Sequence, residues 1–225
     1  IDHVESLVDD RTCAVMIELV QGEGGVQPLD REAVQKLAKF LKSKNVLLII
    51  DEVQTGVYRT GKFLASNYYD IEPDIVTLAK GLGGGVPIGV VMTTLKDIFN
   101  AGDHGSTFGG NFLSTVAACE VVDILNEIYA SGELQSMINY FDSELEKFYS
   151  AHRDIFTSKV GIGMMCGLRV KDGETLTKVI SNAREEGVIV LKAGRDTLRL
   201  LPALTITKEE IDEGFMCLNR AVSSL

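Results

Sequence analysis

Residues Val46 to Ile50 read Val-Leu-Leu-Ile-Ile, an apolar run with no alternation. A strand turns successive side chains to opposite faces, so a run like this predicts burial on both faces. Strands of that kind belong to parallel sheets covered by helices. Asp51 and Glu52 follow at once, so the predicted strand ends on two carboxylates. The neighbouring sequence agrees. Cys13 to Val20, Asp74 to Ala79 and Ile88 to Thr94 are further short apolar runs that read as strands. Between the first two strands, Val34, Leu37, Ala38 and Leu41 recur at helical spacing behind Asp30, a plausible N-cap. Strand, helix and strand at this spacing predict a parallel α/β body.

The pattern changes after Asn111. Leu113, Val116, Ala117, Val121, Ile124, Leu125 and Ile128 form one helical stripe, which stops before Gly132. Leu134, Ile138, Phe141, Leu145 and Phe148 form a second. Ile162 to Val170 and Thr197 to Leu204 read as strands. Leu176, Val179, Ile180 and Ala183 make a helix closed by Gly187. Thr207 and Glu210 have the spacing of a capping box ahead of a last helix through Ile211, Phe215, Leu218 and Val222. The predicted organisation is an α/β domain over residues 1–130 and a smaller α+β domain over 131–225.

Composition narrows the function. The 225 residues carry 22 Lys and Arg against 32 Asp and Glu, a net charge of −10. Nucleic acid and anionic membrane surfaces repel such a chain on average, so neither is an expected partner. The four cysteines include no C-x-x-C pair and the three histidines are scattered, so no metal site or disulfide framework is expected. A reducing, cytoplasmic setting fits that usage. No run approaches the ~20 apolar residues of a membrane span. The chain starts at Ile1 without a Met or a signal-peptide pattern and is read as a portion of a longer protein.

Several residues offer chemistry. Gly56-Val-Tyr-Arg-Thr-Gly-Lys62 fits most of a P-loop, but Phe63 stands where Ser or Thr would bind magnesium. No helix-forming run clearly follows, and the acidic strand precedes the motif instead of following it. Asp51 ends a strand at the side where open α/β sheets bind ligands, although a turn cap would look the same. Lys80 ends another strand and precedes Gly81-Leu-Gly-Gly-Gly85. It reads as a nucleophile or base at a glycine-rich bend, or as a surface lysine. Together the pair suits pyridoxal phosphate. That cofactor needs a lysine for its Schiff base and an anion beside the ring nitrogen. Gly105-Ser-Thr-Phe-Gly-Gly110 offers hydroxyls and amides ahead of a helix, suited to a phosphate or to a plain turn. Arg199, inside Thr-Leu-Arg-Leu-Leu-Pro, calls for an anionic partner if buried, either a substrate carboxylate or Glu23.

These segments resemble the class III aminotransferases, pyridoxal-phosphate enzymes of fold type I. The resemblance runs in order through Glu18 to Val26, Leu48 to Gly56, Arg59-Thr-Gly61, Thr77 to Gly85, Pro87-Ile-Gly89, His104 to Asn111 and Leu198 to Pro202. It implies an α/β fold made of part of the large parallel-sheet domain and a C-terminal α+β small domain.

The resemblance also implies roles. Lys80 would be the catalytic lysine that forms the Schiff base. Asp51 would pair with the ring nitrogen, Val53 would pack on the ring and Gln54 would lie near its hydroxyl. Glu52 belongs to the same cofactor segment. Thr107 would reach the cofactor phosphate of a neighbouring subunit, in a homodimer with shared sites, and Ser106 would lie beside the substrate there. Arg199 would hold the 2-oxoglutarate carboxylate and Glu23 would hold Arg199 away in the other half-reaction. The substrates implied are N2-acetylornithine and 2-oxoglutarate, with glutamate as product, in arginine biosynthesis. Ornithine, succinylornithine and 4-aminobutyrate are the alternative amines. A ligand-binding protein on the same scaffold is the non-enzymatic alternative, and the presence of Lys80 argues against it. Leu19 and Phe112 stand where the family usually has Pro. The family's Ser-Gly-Thr-type phosphate loop and its amine-substrate arginine precede the region matched here. The 225 residues alone are therefore expected to be inactive.

Overall fold

The computed structural model describes residues 2–225. Along the chain run α1 (Asp2–Leu7), β1 (Ala14–Ile17), β2 (Val20–Gln21), β3 (Gln27–Pro28), α2 (Arg31–Ser43) and β4 (Leu47–Asp51). Next come α3 (Ala65–Tyr69), β5 (Ile75–Leu78), a 3-10 turn (Lys80–Gly83) and β6 (Val90–Thr93). The rest is α4 (Phe112–Ala130), α5 (Glu133–Ala151), β7 (Phe156–Ile162), β8 (Met165–Val170), α6 (Gly173–Glu185), β9 (Leu191–Ala193), β10 (Thr197–Leu200) and α7 (Lys208–Ser223). The chain divides into two compact units. The first takes the residues up to Leu19, Leu29–Tyr58 and Lys62–Glu127. The second takes Val20–Pro28, Arg59–Gly61 and Ile128–Leu225.

The first unit holds a sheet of order β1-β4-β5-β6. β1, β4 and β5 are parallel, as the apolar runs predict. β6 is antiparallel to β5, so the sheet is mixed and not purely parallel. The reason is the link over residues 79–89. It holds only a 3-10 turn, whereas a parallel return needs a helical crossover of a dozen or more residues. Leu48 and Ile50 of β4 are buried, while Leu47 and Ile49 on the other face are half-buried. The run is therefore fully covered on one face only. Asp30 caps α2 by accepting from Ala33 N at 2.8 Å, and the helix buries Val34, Leu37 and Leu41. α3, absent from the sequence reading, follows the P-loop-like stretch.

The second unit holds an antiparallel sheet of order β7-β8-β10-β9. β7 begins at Phe156, earlier than the predicted start at Ile162, and forms a hairpin with β8. Pairing puts Val160, Ile162, Met165, Gly167, Ala193 and Arg199 on one face. There Met165 and Ala193 pack with Val20 and Val26 of the β2–β3 segment, and Val160 and Ile162 flank the cluster. Cys166, Leu168, Leu198 and Leu200 point the other way, and all are buried. α6 packs on β8 and β10, α5 packs on β7, and α7 contacts both helices. Phe148 of α5 lies 5.5 Å from Phe156 and 5.7 Å from Phe215, centroid to centroid. Each such aromatic pair contributes about 0.5–1.5 kcal/mol beyond its buried area. Thr207 and Glu210 form the predicted capping box of α7.

Candidate active site

Asp51 is the last residue of β4 and pairs in register with Thr77 of β5. Its Oδ1 accepts from Val53 N at 2.9 Å and from Thr77 Oγ1 at 3.3 Å. The half-buried carboxylate is thereby fixed at the carboxyl end of two parallel strands. Glu52, one residue on, points elsewhere and is only 1% exposed. Its Oε2 accepts from Thr55 Oγ1 at 2.6 Å and Ala65 N at 2.8 Å, and its Oε1 accepts from Ser66 N at 2.8 Å. Both oxygens serve the scaffold, holding the following loop and the start of α3. Expected among the cofactor residues, Glu52 has the geometry of a buried anchor whose oxygens are satisfied by these donors.

Lys80 lies three residues beyond Thr77, at the same strand ends as Asp51. Its backbone is left-handed, with φ 48°, and it opens the 3-10 turn. A non-glycine residue there is uncommon, and such strain concentrates at functional positions. The Lys80 side chain is exposed. The turn leaves room around it, because a Cβ on Gly81 or Gly85 would meet nothing within 4 Å. Val53 and Gln54 are half-buried in the loop that leaves Asp51.

Ser106 and Thr107 lie on an exposed loop. Ser106 Oγ accepts from Gly109 N at 2.9 Å and closes a local turn. The cap of α4 is Asn111, whose Oδ1 accepts from Ser114 N at 3.0 Å. The Ser-Thr pair therefore stands outside the helix cap. Phe112 is the first residue of α4 and 91% exposed, at a position where Pro is favoured for its fixed φ. Leu19, the other departure from the family pattern, is fully buried. Its carbonyl accepts from Leu29 N at 2.9 Å and Tyr69 Oη at 3.0 Å.

In the second unit, Arg199 and Glu23 meet although the chain between them is long. Arg199 Nη1 donates to Glu23 Oε1 at 2.5 Å. The pair is lopsided: the Arg199 side chain is 10% exposed and the Glu23 side chain 73%. Gly194 N donates to Glu23 O at 2.9 Å, so the Glu23 backbone is tethered while its carboxylate faces water. Arg199 Nε is buried and makes no hydrogen bond. A buried donor in that state is costly, and a carboxylate that grips the guanidinium by two atoms would satisfy it.

The sequence reading missed one residue of this region. The P-loop-like stretch runs through consecutive turns. Its Val57 and Tyr58 are both left-handed, with φ 54° and 66°. Arg59 beyond them donates to the carbonyls of Pro202 and Met164. Its only visible signal was its place in the Arg-Thr-Gly segment. Burial pushes the Arg59 guanidinium down to about 10, still protonated at neutral pH. Among the described residues no cluster of three or more His, Cys, Asp or Glu could hold a metal ion. No helix among them is long and apolar enough to cross a membrane.

Comparison with known proteins bears on this arrangement. A family model described as aminotransferase class-III matches residues 1–222. An acetylornithine aminotransferase of Wolinella succinogenes is 54% identical over 225 residues, which is all of this chain and 57% of that protein. The chain thus spans little more than half the length of that curated relative. The crystal structure of acetylornithine aminotransferase from Elizabethkingia anophelis superposes with a TM-score of 0.89 at 30% identity, covering 99% of this chain and 58% of that one. An ornithine aminotransferase of Plasmodium yoelii gives 0.88 at 30% identity, covering 99% and 60%. The fold is therefore shared by enzymes that differ in their amine substrate.

Proposed function

The chain belongs to the class III aminotransferases, and on that premise we propose that the protein moves the δ-amino group of N2-acetylornithine to 2-oxoglutarate, a step of arginine biosynthesis. The cofactor in this reading is pyridoxal 5'-phosphate. Two features support the fit: a carboxylate fixed at the end of β4, and a lysine on an open, strained turn at the end of β5. When bound, the cofactor supplies an aldehyde for the lysine amine and a ring that accepts electrons. Lys80 Nζ would hold it and would move a proton to and from the substrate carbon. Asp51 would pair with the ring nitrogen, and its bonds to Val53 N and Thr77 Oγ1 keep its carboxylate fixed. Val53 would pack on the ring and Gln54 would hydrogen-bond near its hydroxyl. Glu52 stands behind them as an anchor.

The observation that carries amino transfer between two substrates is the Arg199–Glu23 pair. A 2-oxo diacid brings an α-carboxylate beside its reacting carbon, where a buried guanidinium can hold it, whereas the reacting δ-carbon of N2-acetylornithine has no carboxylate beside it. Glu23 neutralises Arg199 when the amine is bound. Being well solvated, Glu23 can leave at little cost when a substrate carboxylate arrives, and that carboxylate also satisfies Arg199 Nε. Thr107 would reach the phosphate held by a second copy, and Ser106 would lie beside the substrate there. The exposed Phe108, Phe112, Leu113 and Val116 on and beside α4 support such a homodimer. The four cysteines are free thiols, in keeping with a reducing cytoplasmic setting.

The test uses full-length protein and a spectrophotometer. N2-acetylornithine, ornithine and 4-aminobutyrate are added separately without an oxo acid, and the absorbance of the Lys80-bound cofactor is followed. N2-acetylornithine is expected to bleach it fastest, and Lys80→Ala to abolish both the band and turnover with the fold intact. Faster bleaching by another amine would move the substrate and keep the chemistry. A wild type with no such band would overturn the reading.

A further inference from the structure

Arg59 holds two pieces of backbone that flank Arg199. Its Nη1 donates to Pro202 O at 2.5 Å and to Met164 O at 3.2 Å. Pro202 lies three residues past Arg199, where the chain leaves β10. Met164 ends the turn that enters β8, and Gly167 of β8 is the register partner of Arg199. The contact is reciprocal, because Met164 N donates to Arg59 O at 2.9 Å. It is also close. Gly163 has φ 64°, and a Cβ there would stand 2.7 Å from Thr60 C and 2.9 Å from Arg59 O. Only glycine fits that turn against the Arg59 backbone.

A half-buried guanidinium held by neutral carbonyls is an expensive way to build a loop contact. One nitrogen, Nη1, donates to both acceptors in directions set by the planar guanidinium, whereas an ammonium on a flexible stem has no such fixed directions. Both acceptors belong to segments that set where β10 ends, and therefore how far Arg199 reaches.

We propose that Arg59 is a positioning residue that fixes Arg199 for the 2-oxo acid carboxylate, so that it governs the oxo-acid half-reaction and not the amine half-reaction. The proposal rests on the assignment of Arg199 to 2-oxoglutarate. Arg59 itself touches neither substrate. A guanidinium displaced by a fraction of an ångström loses its two-point grip on a carboxylate, and Glu23 then competes better for it.

The experiment measures the two half-reactions separately in the full-length enzyme, for wild type, Arg59→Lys and Gly163→Ala, with thermal unfolding recorded alongside. Arg59→Lys keeps the charge but loses the planar donor group, and Gly163→Ala pushes the turn off the Arg59 backbone from the other side. Both variants are expected to raise the half-saturating concentration of 2-oxoglutarate by about tenfold or more. The amine half-reaction is expected to change by less than about twofold. A purely structural role would lower both half-reactions together, or the melting temperature alone, and either result overturns the proposal. Unchanged 2-oxoglutarate kinetics in both variants does the same. A wild type that ignores 2-oxoglutarate sinks the functional assignment first, and the positioning role with it.

Discussion

α4 and α5 are equally long, 19 residues each, and the first is the more apolar. Yet α5 buries Leu134, Ile138, Phe141, Leu145, Phe148 and Tyr149, while α4 buries only Ser114, Ala118 and Leu125. Phe112, Leu113, Val116 and Ile124 of α4 face solvent, contrary to the stripe expected there. The difference lies in the surroundings. α5 packs on β7 and α7. α4 has apolar residues on more of its circumference than the first unit covers. A helical stripe shows that a segment is helical; what covers it depends on the neighbours. In the functional reading the cover is a second copy of the chain.

The largest expected effect sets one helix against the other. Leu145→Ala removes a fully buried side chain of α5 and is expected to cost about 2–5 kcal/mol of stability in urea unfolding. Val116→Ala on the open face of α4 is expected to cost no more than about 0.5 kcal/mol in dilute solution. Equal costs would erase the contrast. A charge on the open face sharpens it further. Leu113→Glu is expected to weaken self-association by about tenfold or more, read by sedimentation, with little change in the fold of the single chain. Unaltered association would remove α4 from the interface.

The smallest effect concerns the ion pairs along the polar edge of α5. Lys159 of β7 reaches Glu146 at 2.8 Å and Asp142 at 3.0 Å. The bond from Lys159 holds the Glu146 carboxyl below its ordinary 4.5. Burial opposes the Lys159 charge, but its bonds to Glu146 and Asp142 outweigh that and raise it above 10.5. The Glu146 contribution is complete above pH 4.5 and is lost as pH falls through its lower folded value. The Lys159 contribution is complete below pH 10.5 and is lost as pH rises through its higher one. Exposed pairs are screened, so both slopes should be shallow and shrink with salt. Lys159→Met should flatten them. A slope that survives that substitution would assign the acid sensitivity to other carboxylates.

Local patterns were readable because their causes are local. The Asp30 cap and the Thr207–Glu210 box each depend on a few adjacent residues. The strands through Ile50 and Val76 announced themselves by apolar runs, and Asp51 and Lys80 by their places at the ends. The direction of β6 was harder to read, because it depends on how far the link before it can reach. Glu52 was grouped with Asp51 in the sequence, but the two carboxylates point to different partners. Successive residues at a strand end diverge, and the donors that claimed Glu52 come from residues 55, 65 and 66. Arg59 was hidden because its acceptors are carbonyls, which every residue has.

The sequence by itself determined the order of the elements, their caps and the chemistry available at each strand end. These follow from side-chain periodicity and backbone preference within a few residues. Tertiary structure alone decided which face of α4 stays bare, how deeply Arg199 is buried, that Glu23 is within its reach, and which backbone Arg59 holds. Burial and pairing depend on neighbours that the chain brings together only when its strands close into sheets. Desolvation and hydrogen bonding act at distances of a few ångströms, whatever the separation along the chain.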